Sequence, residues 1–380
     1  MGTDHTTFEM DWVTLFDDDF KDLYPENNNS SFLDDYASQS CVLDDGAMRL
    51  FRTVFLPLVY SLVFLLGAAG NGVMVTVLLR HKGHLRVTEI YLVHLGLADL
   101  LLVSTLPFVV ARELAGWLFG VALCKILNLL AYVSLLCSSL LLACISFDRY
   151  LAIVHAVPSL HSRRPRTVHL TCGLLWLVCL ALAMPEAVFT TVITVPNSSE
   201  LQCSHAGSES SDWTVLSRLL LHLLGFFAPL CVMCVCYTAV VLTLCRRRDP
   251  GRHRGSSTHG SSPEKQGAIR LALVVTVAFC LCWLPHNMAQ LLSTLVELGP
   301  LAHLSCSAAL QRTLVVSESM GYVHSCLNPI LYAFVGVRFR RELWLLLEKW
   351  GLCRQCVPPG RGSRASYSDG LTSTTNTKAM

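Results

Sequence analysis

Seven stretches in which apolar residues run almost without interruption divide the chain: residues 54 to 79, 90 to 111, 126 to 147, 168 to 185, 219 to 245, 271 to 296 and 313 to 337. Each comes near or exceeds the roughly 20 residues that a helix needs to cross the hydrocarbon core of a bilayer. Charge is nearly absent from them, the exceptions being Asp99 in the second, Glu318 in the seventh and Glu186 just past the fourth. A charged side chain at membrane depth is costly, which makes these three acids functional candidates. The pattern predicts an all-α membrane protein, a seven-transmembrane helix bundle over residues 49–337. Tails flank it at 1–48 and 351–380. Between bundle and second tail, Phe339, Leu343, Leu346, Leu347 and Trp350 recur at helical spacing among Arg338, Arg340, Arg341 and Lys349. That segment, 338–350, reads as a short amphipathic eighth helix on the membrane surface.

Composition agrees: 53% of residues are hydrophobic and 15% charged, too few charges for a surface solvated by water. The net charge of +2 conceals a segregation, because residues 1 to 45 hold twelve acids and one base, Lys21. The loops between stretches 1 and 2, 3 and 4, and 5 and 6 hold fourteen Lys and Arg, against four in the alternate loops. The positive-inside rule then places the amino terminus outside the cell and the carboxyl terminus inside. The opening residues are acidic and polar, unlike a signal peptide, so insertion is expected to begin with the first membrane helix. Sequons at Asn28, Asn29 and Asn197 fall on the outward side as glycosylation candidates.

Most of the seventeen cysteines lie within the spans and read as small packing residues. Cys41, Cys124, Cys203 and Cys306 fall on the oxidising face, where four cysteines allow three disulfide pairings. Cys353 and Cys356, just beyond the amphipathic segment, suit palmitoylation. The final tail carries eight Ser and Thr residues from Ser363 to Thr377, substrates for a kinase.

Prolines interrupt the spans at Pro107, Pro229, Pro285 and Pro329, each removing a backbone hydrogen bond and kinking its helix. Beside them stand Gly70-Asn71, Leu97-Ala98-Asp99, Asp148-Arg149-Tyr150, Trp176, Tyr237, Cys282-Trp283-Leu284-Pro285 and Asn328-Pro329-Ile330-Leu331-Tyr332. This ordered set resembles the rhodopsin class of G-protein-coupled receptors over about residues 50 to 350. Thr105-Leu106-Pro107, Trp117-Leu118-Phe119-Gly120 and the run from Asp148 to Ala156 narrow the resemblance to chemokine receptors. Tyr322 stands where a pigment has its Schiff-base lysine, and Ala131 where an amine receptor has its carboxylate, which argues against both classes.

The resemblance implies a receptor in the plasma membrane and no enzyme. It implies disulfides Cys41–Cys306 and Cys124–Cys203, ligand contacts at Glu186, Gln290, Glu318 and Tyr322, and sulfation of Tyr24 and Tyr36 in their acidic contexts. Asn71, Asp99 and Asn328 look like an allosteric sodium site, the sole cofactor expected. Asp148, Arg149, Tyr150, Tyr237, Trp283, Pro285, Asn328, Pro329 and Tyr332 look like the activation switch. Lys265 stands where many relatives place an acid facing the helix 3 arginine, so that lock is expected to be missing. The implied partners are a basic C-X-C chemokine, an inhibitory-class heterotrimeric G protein, arrestin and receptor kinases at the carboxyl tail, and membrane lipid; nucleic acid is not among them. The implied outcome is calcium signalling and migration of leukocytes, B cells in particular. The alternative is a scavenger that internalises chemokine without G-protein signalling, whose usual sign is a degraded Asp-Arg-Tyr motif; here the motif is intact. Arg112 departs from the pattern, because a cation there repels a positive ligand terminus unless Glu113 or Glu318 neutralises it.

Overall fold

The computed structural model describes residues 46–80, 85–155, 165–195, 200–205, 212–248, 263–299 and 308–335, with the isolated positions 340, 343, 344 and 348. Seven long helices account for nearly all of them. Helix α1 is Gly46–Arg80, α2 Val87–Ala115, α3 Gly120–His155, α4 Pro165–Phe189, α6 Pro263–Glu297 and α7 Ala308–Val335. Helix α5 runs from Asp212–His222 through a π turn, Leu223–Phe227, into Ala228–Arg248. Between α4 and α5 lies a two-stranded antiparallel hairpin, β1 Thr190–Thr194 and β2 Leu201–His205, with Val192 opposite Cys203. The sequence pattern gave no sign of this hairpin, which stands at one end of the bundle.

Helices α1 to α6 are long and apolar enough to cross a membrane. Helix α7 has the length, 28 residues, but breaks its apolar run with Ser317, Ser319, His324, Ser325 and Asn328, all buried against the other helices. Large apolar side chains such as Leu58, Leu177, Val235 and Leu281 are instead exposed on the perimeter. With lipid as the solvent, that inversion is the expected arrangement.

The helices outrun the apolar stretches: α3 begins at Gly120 rather than 126, and α6 extends back to Pro263 rather than 271. Hydrophobicity marks where the chain meets hydrocarbon, whereas the helix continues as long as its hydrogen-bond ladder does. One consequence is a correction: Glu186, expected just beyond the fourth span, lies inside α4 and is 1% exposed. The expected amphipathic helix 338–350 falls largely outside the described residues, as do Cys353, Cys356 and both tails.

Helix α3 is central, packing against α2, α4, α5, α6 and the hairpin, while α1 packs on α2 and α7, and α7 on α6. Two of the prolines explain specific contacts. A proline leaves the carbonyl four residues before it without its helical donor. Pro229 does this to Gly225, within the π turn, and the hydroxyl of Ser139 on α3 donates to that carbonyl. Pro329 does it to Ser325, whose carbonyl oxygen accepts the Asn71 amide of α1 at 2.7 Å. Gly70 lets this happen, because a Cβ there would come within 2.9 Å of the Pro329 ring. At Gly225 an added Cβ would meet Leu136 at 2.3 Å.

Near the hairpin, Lys125 of α3 donates its ammonium to the last-turn carbonyls of α4, Ala187 at 3.0 Å and Val188 at 2.7 Å, the usual place for a cation on a helix. Gly70 and Gly72 differ sharply in surroundings, since nothing lies within 4 Å of a Cβ at Gly72. Gly70→Ala is therefore expected to destabilise the bundle by about 1–3 kcal/mol, a fall of several degrees in the melting temperature of purified protein, whereas Gly72→Ala leaves it unchanged or raised.

Candidate functional site

At the hairpin end, the Cys124–Cys203 disulfide joins the start of α3 to β2, with Cα atoms 5.8 Å apart. Trp117, in the α2–α3 connection, donates its backbone N–H to Leu201 of β2 at 2.9 Å and its indole N–H to Gly120 at 2.9 Å. Its ring packs edge-on against Phe119, which meets Phe108 of α2 in the same way. The hairpin is thus fastened to α2 and α3 by a covalent bond, a backbone bond and an aromatic cluster. Cys41, Cys306, Asn28, Asn29, Asn197, Tyr24 and Tyr36 lie outside the described residues.

Beneath the hairpin, the Tyr322 hydroxyl donates to the Glu318 carboxylate one turn away at 3.3 Å. Tyr322 packs edge-on against Tyr60 of α1, ring centroids 5.4 Å apart, and against Trp283 of α6 at 6.3 Å. Arg112 resolves the question its charge raised: its Nε and Nη2 both donate to Oε1 of Glu113, at 3.1 and 2.8 Å. The guanidinium is also near enough to Glu318 for their charges to interact. Two carboxylates and one cation therefore leave this corner with net negative charge. Gln290 lies on α6, half-buried, its backbone carbonyl accepting the Thr294 hydroxyl at 3.0 Å.

A small cavity lies between α3, α5 and α6, lined among others by Tyr132, Leu136, His222, His286 and Asn287. His222 Nδ1 lies 3.1 Å from Asn287 Oδ1. The predicted contacts Glu186, Gln290, Glu318 and Tyr322 are not part of its lining. Sequence reasoning missed the histidines and Asn287, since an isolated imidazole or amide in an apolar run carries no spacing that marks it.

Deeper in the bundle, the Trp283 indole N–H donates to His324 Nδ1 at 2.8 Å. His324 Nε2 lies 3.3 Å from Asp99 Oδ1, and Asn328 Nδ2 donates to Asp99 Oδ2 at 2.6 Å. Asn71 shares this region through its bond to Ser325. The structure thus brings Asp99 and Asn328 into direct contact and inserts a histidine that the sequence had not singled out. A path of contacts leads from Glu318 through Tyr322, Trp283 and His324 to Asp99. Gly321 makes room for the indole, since a Cβ there would meet its ring at 2.6 Å.

At the opposite end, Arg149 is ion-paired with the adjacent Asp148 and also donates to the hydroxyl of Thr88 on α2. Tyr150 lies 3.0 Å from His155 Nε2. The Tyr237 hydroxyl is 3.3 Å from Thr276 Oγ1, bridging α5 and α6. Pro285 and Pro329 lie within continuous α6 and α7. The side chains of Tyr332 and Lys265 fall outside what the structure describes, so the expected missing lock on Arg149 is not addressed by the geometry.

Comparison with known proteins coincides with this arrangement. Residues 70–332 match the family described as 7 transmembrane receptor (rhodopsin family). The human C-X-C chemokine receptor type 5 is 40% identical over 383 residues, spanning 97% of this chain and 98% of that one. The type 3 receptor of Bos taurus is 39% identical, over 86% of each chain. The sequence divides its likeness between the same two types. Ser138 to Ile145, Leu151 to Val157, His169 to Val178 and Phe8 to Asp11 resemble type 5, while Ser146 to Tyr150 and Tyr332 to Val337 resemble type 3. Helices long enough to cross a membrane, the ordered motifs and near-full-length identity lead to one conclusion: the chain belongs to the rhodopsin family of seven-transmembrane receptors and, within it, to the chemokine receptors, which are not enzymes.

Proposed function

We propose that the chain binds a basic C-X-C chemokine outside the cell in two steps and activates an inhibitory-class G protein inside it, driving calcium signalling and leukocyte, chiefly B-cell, migration. The observation that carries this reading is the unbroken path from Glu318 through Tyr322, Trp283 and His324 to Asp99, which connects a net negative corner near the hairpin with the packed middle of the bundle. The acidic tail captures the folded core of the chemokine. The chemokine's cationic amino terminus then enters toward Glu318. Electrostatic capture accelerates association and makes it sensitive to salt.

A ligand shifts the bundle only by binding one of its states better than another. In the arrangement described, Arg149 is held by Asp148 and Thr88, and α5 and α6 are bridged through Tyr237 and Thr276. On this reading activation requires these contacts to rearrange as α6 moves on its proline. Sulfation of Tyr24 or Tyr36, glycosylation of Asn28, Asn29 or Asn197, and phosphorylation of the carboxyl tail for arrestin belong to the same reading. Identity with type 5 and type 3 receptors supports a C-X-C ligand. The intact Asp-Arg-Tyr motif favours signalling over scavenging.

Three measurements test it. Neutralising the twelve acids of residues 1 to 45 is expected to slow chemokine association by about tenfold or more and to flatten its dependence on salt; unchanged kinetics overturn the capture role. Glu113→Gln leaves Arg112 without its partner, so affinity for a basic chemokine should fall about tenfold, with the double variant Glu113→Gln/Arg112→Gln recovering most of the loss. Arg149→Ala should preserve ligand binding at the cell surface while abolishing nucleotide exchange on the G protein, and full exchange by that variant contradicts the switch assignment.

A further inference from the structure

Where the α2–α4 seam meets the perimeter of the bundle, the indole N–H of Trp176 donates to His94 Nδ1 of α2 at 3.2 Å. His169 of α4 stands edge-on to His94, ring centroids 6.2 Å apart. His94 is half-buried and lies on the same stripe of α2 as Leu97 and Ser104, which are exposed. His169 is exposed, and so is Arg166, one turn nearer the start of α4. All three lie toward the end of the bundle that holds Arg149.

The indole bond decides where the His94 proton sits. Nδ1 accepts only through its lone pair, so the ring is neutral and carries its proton on Nε2. That N–H makes no hydrogen bond among the described residues, and it is open at the surface rather than sealed in the interior. The nitrogens of His169 and the guanidinium of Arg166 likewise have no hydrogen-bond or ion-pair partner among the described residues.

Arg166 alone is an ordinary interfacial anchor. The imidazoles are not, because they sit deeper: His169 about 6 Å along α4 from Pro165, and His94 about 10 Å along α2 from Val87. A donor facing hydrocarbon without a partner is costly. Packing gives no reason for it, since leucine fills the neighbouring exposed positions 170 and 174. Nor does an acid oppose these groups. Helix α4 has none before Glu186, Glu89 of α2 accepts the Arg86 backbone N–H at 2.8 Å, and Asp148 is paired with Arg149. Donors and a guanidinium gathered between two helices suit phosphate oxygens with net negative charge. Their place on the perimeter makes a lipid the source.

We propose that the α2–α4 seam binds an anionic phospholipid, whose headgroup takes the N–H of His94, the imidazole of His169 and the guanidinium of Arg166. A headgroup held there bonds to His94 while His94 holds Trp176, so the lipid pins α2 to α4. A sterol hydroxyl leaves the guanidinium unused, and a zwitterionic headgroup brings its own cation to offset the phosphate. The proposal rests on the reading that this end of the bundle lies in the inner leaflet. Its test uses symmetric bilayers and needs neither chemokine nor G protein, so the two can fail separately.

The test is the melting temperature of the purified full chain in phosphatidylcholine nanodiscs with increasing phosphatidylserine. Phosphatidylserine should raise Tm of the unmodified chain by about 3 °C. Arg166→Gln should require about fivefold more of it for the same gain, His169→Gln should shift the requirement in the same direction, and the two together should abolish the gain. Arg80→Gln removes an exposed cation of α1 at the same end and should change nothing. His94→Leu should also lose the gain; if it does not fold, the two exposed variants carry the test. Soluble glycerophosphoserine, which lacks acyl chains, should leave Tm unchanged. No gain in the unmodified chain, an equal loss in Arg80→Gln, a gain that survives the Arg166→Gln/His169→Gln pair, a gain from glycerophosphoserine, or stabilisation through these residues by cholesterol and not by phosphatidylserine overturns the proposal.

Discussion

A carbonyl oxygen inside a bilayer has no water to turn to, and that constraint organises this bundle. Prolines create such oxygens in α5 and α7, and polar side chains of other helices take them up: Ser139 for Gly225, Asn71 for Ser325. Hydrophobicity alone cannot hold membrane helices to one another, since lipid is as apolar as leucine. Packing and these few hydrogen bonds supply the specificity. The glycines beside them, Gly70 and Gly225, bring the backbones close enough for the bonds to form.

The same economy explains why Ser317, Ser319, His324, Ser325 and Asn328 of α7 turn inward. An imidazole or amide facing lipid would be unmet, whereas facing α2 and α6 it finds partners in Asp99 and Trp283. The helix least able to sit in lipid by composition is thereby the one that joins the most chemistry. Glu318, which accepts the Tyr322 hydroxyl, and Asn328, which donates to Asp99, share its backbone.

Much of this was legible in the chain. Seven apolar runs foretold seven helices, and the resemblance grouped Asp99 with Asn328, which are in contact. Helix ends were not legible, because polar turns such as Pro263 to Arg270 extend a helix without leaving an apolar trace. Nor was the hairpin, whose strands are five residues each and held by partners distant in sequence, Trp117 and Cys124. The pairing of four cysteines stayed open on sequence grounds, and Cys124–Cys203 is the pair the described residues contain. His324 escaped notice for the opposite reason: its meaning lies wholly in what stands at its two nitrogens.

Two consecutive residues at the start of α3 make attachments in different directions: Cys124 to the hairpin, Lys125 to the end of α4. A post braced in that way at its tip resists tilting. A covalent bond and a charged hydrogen-bond pair thus clamp α3, α4 and the hairpin into one unit at this end, while the proline-broken α6 and α7 have no share in that clamp.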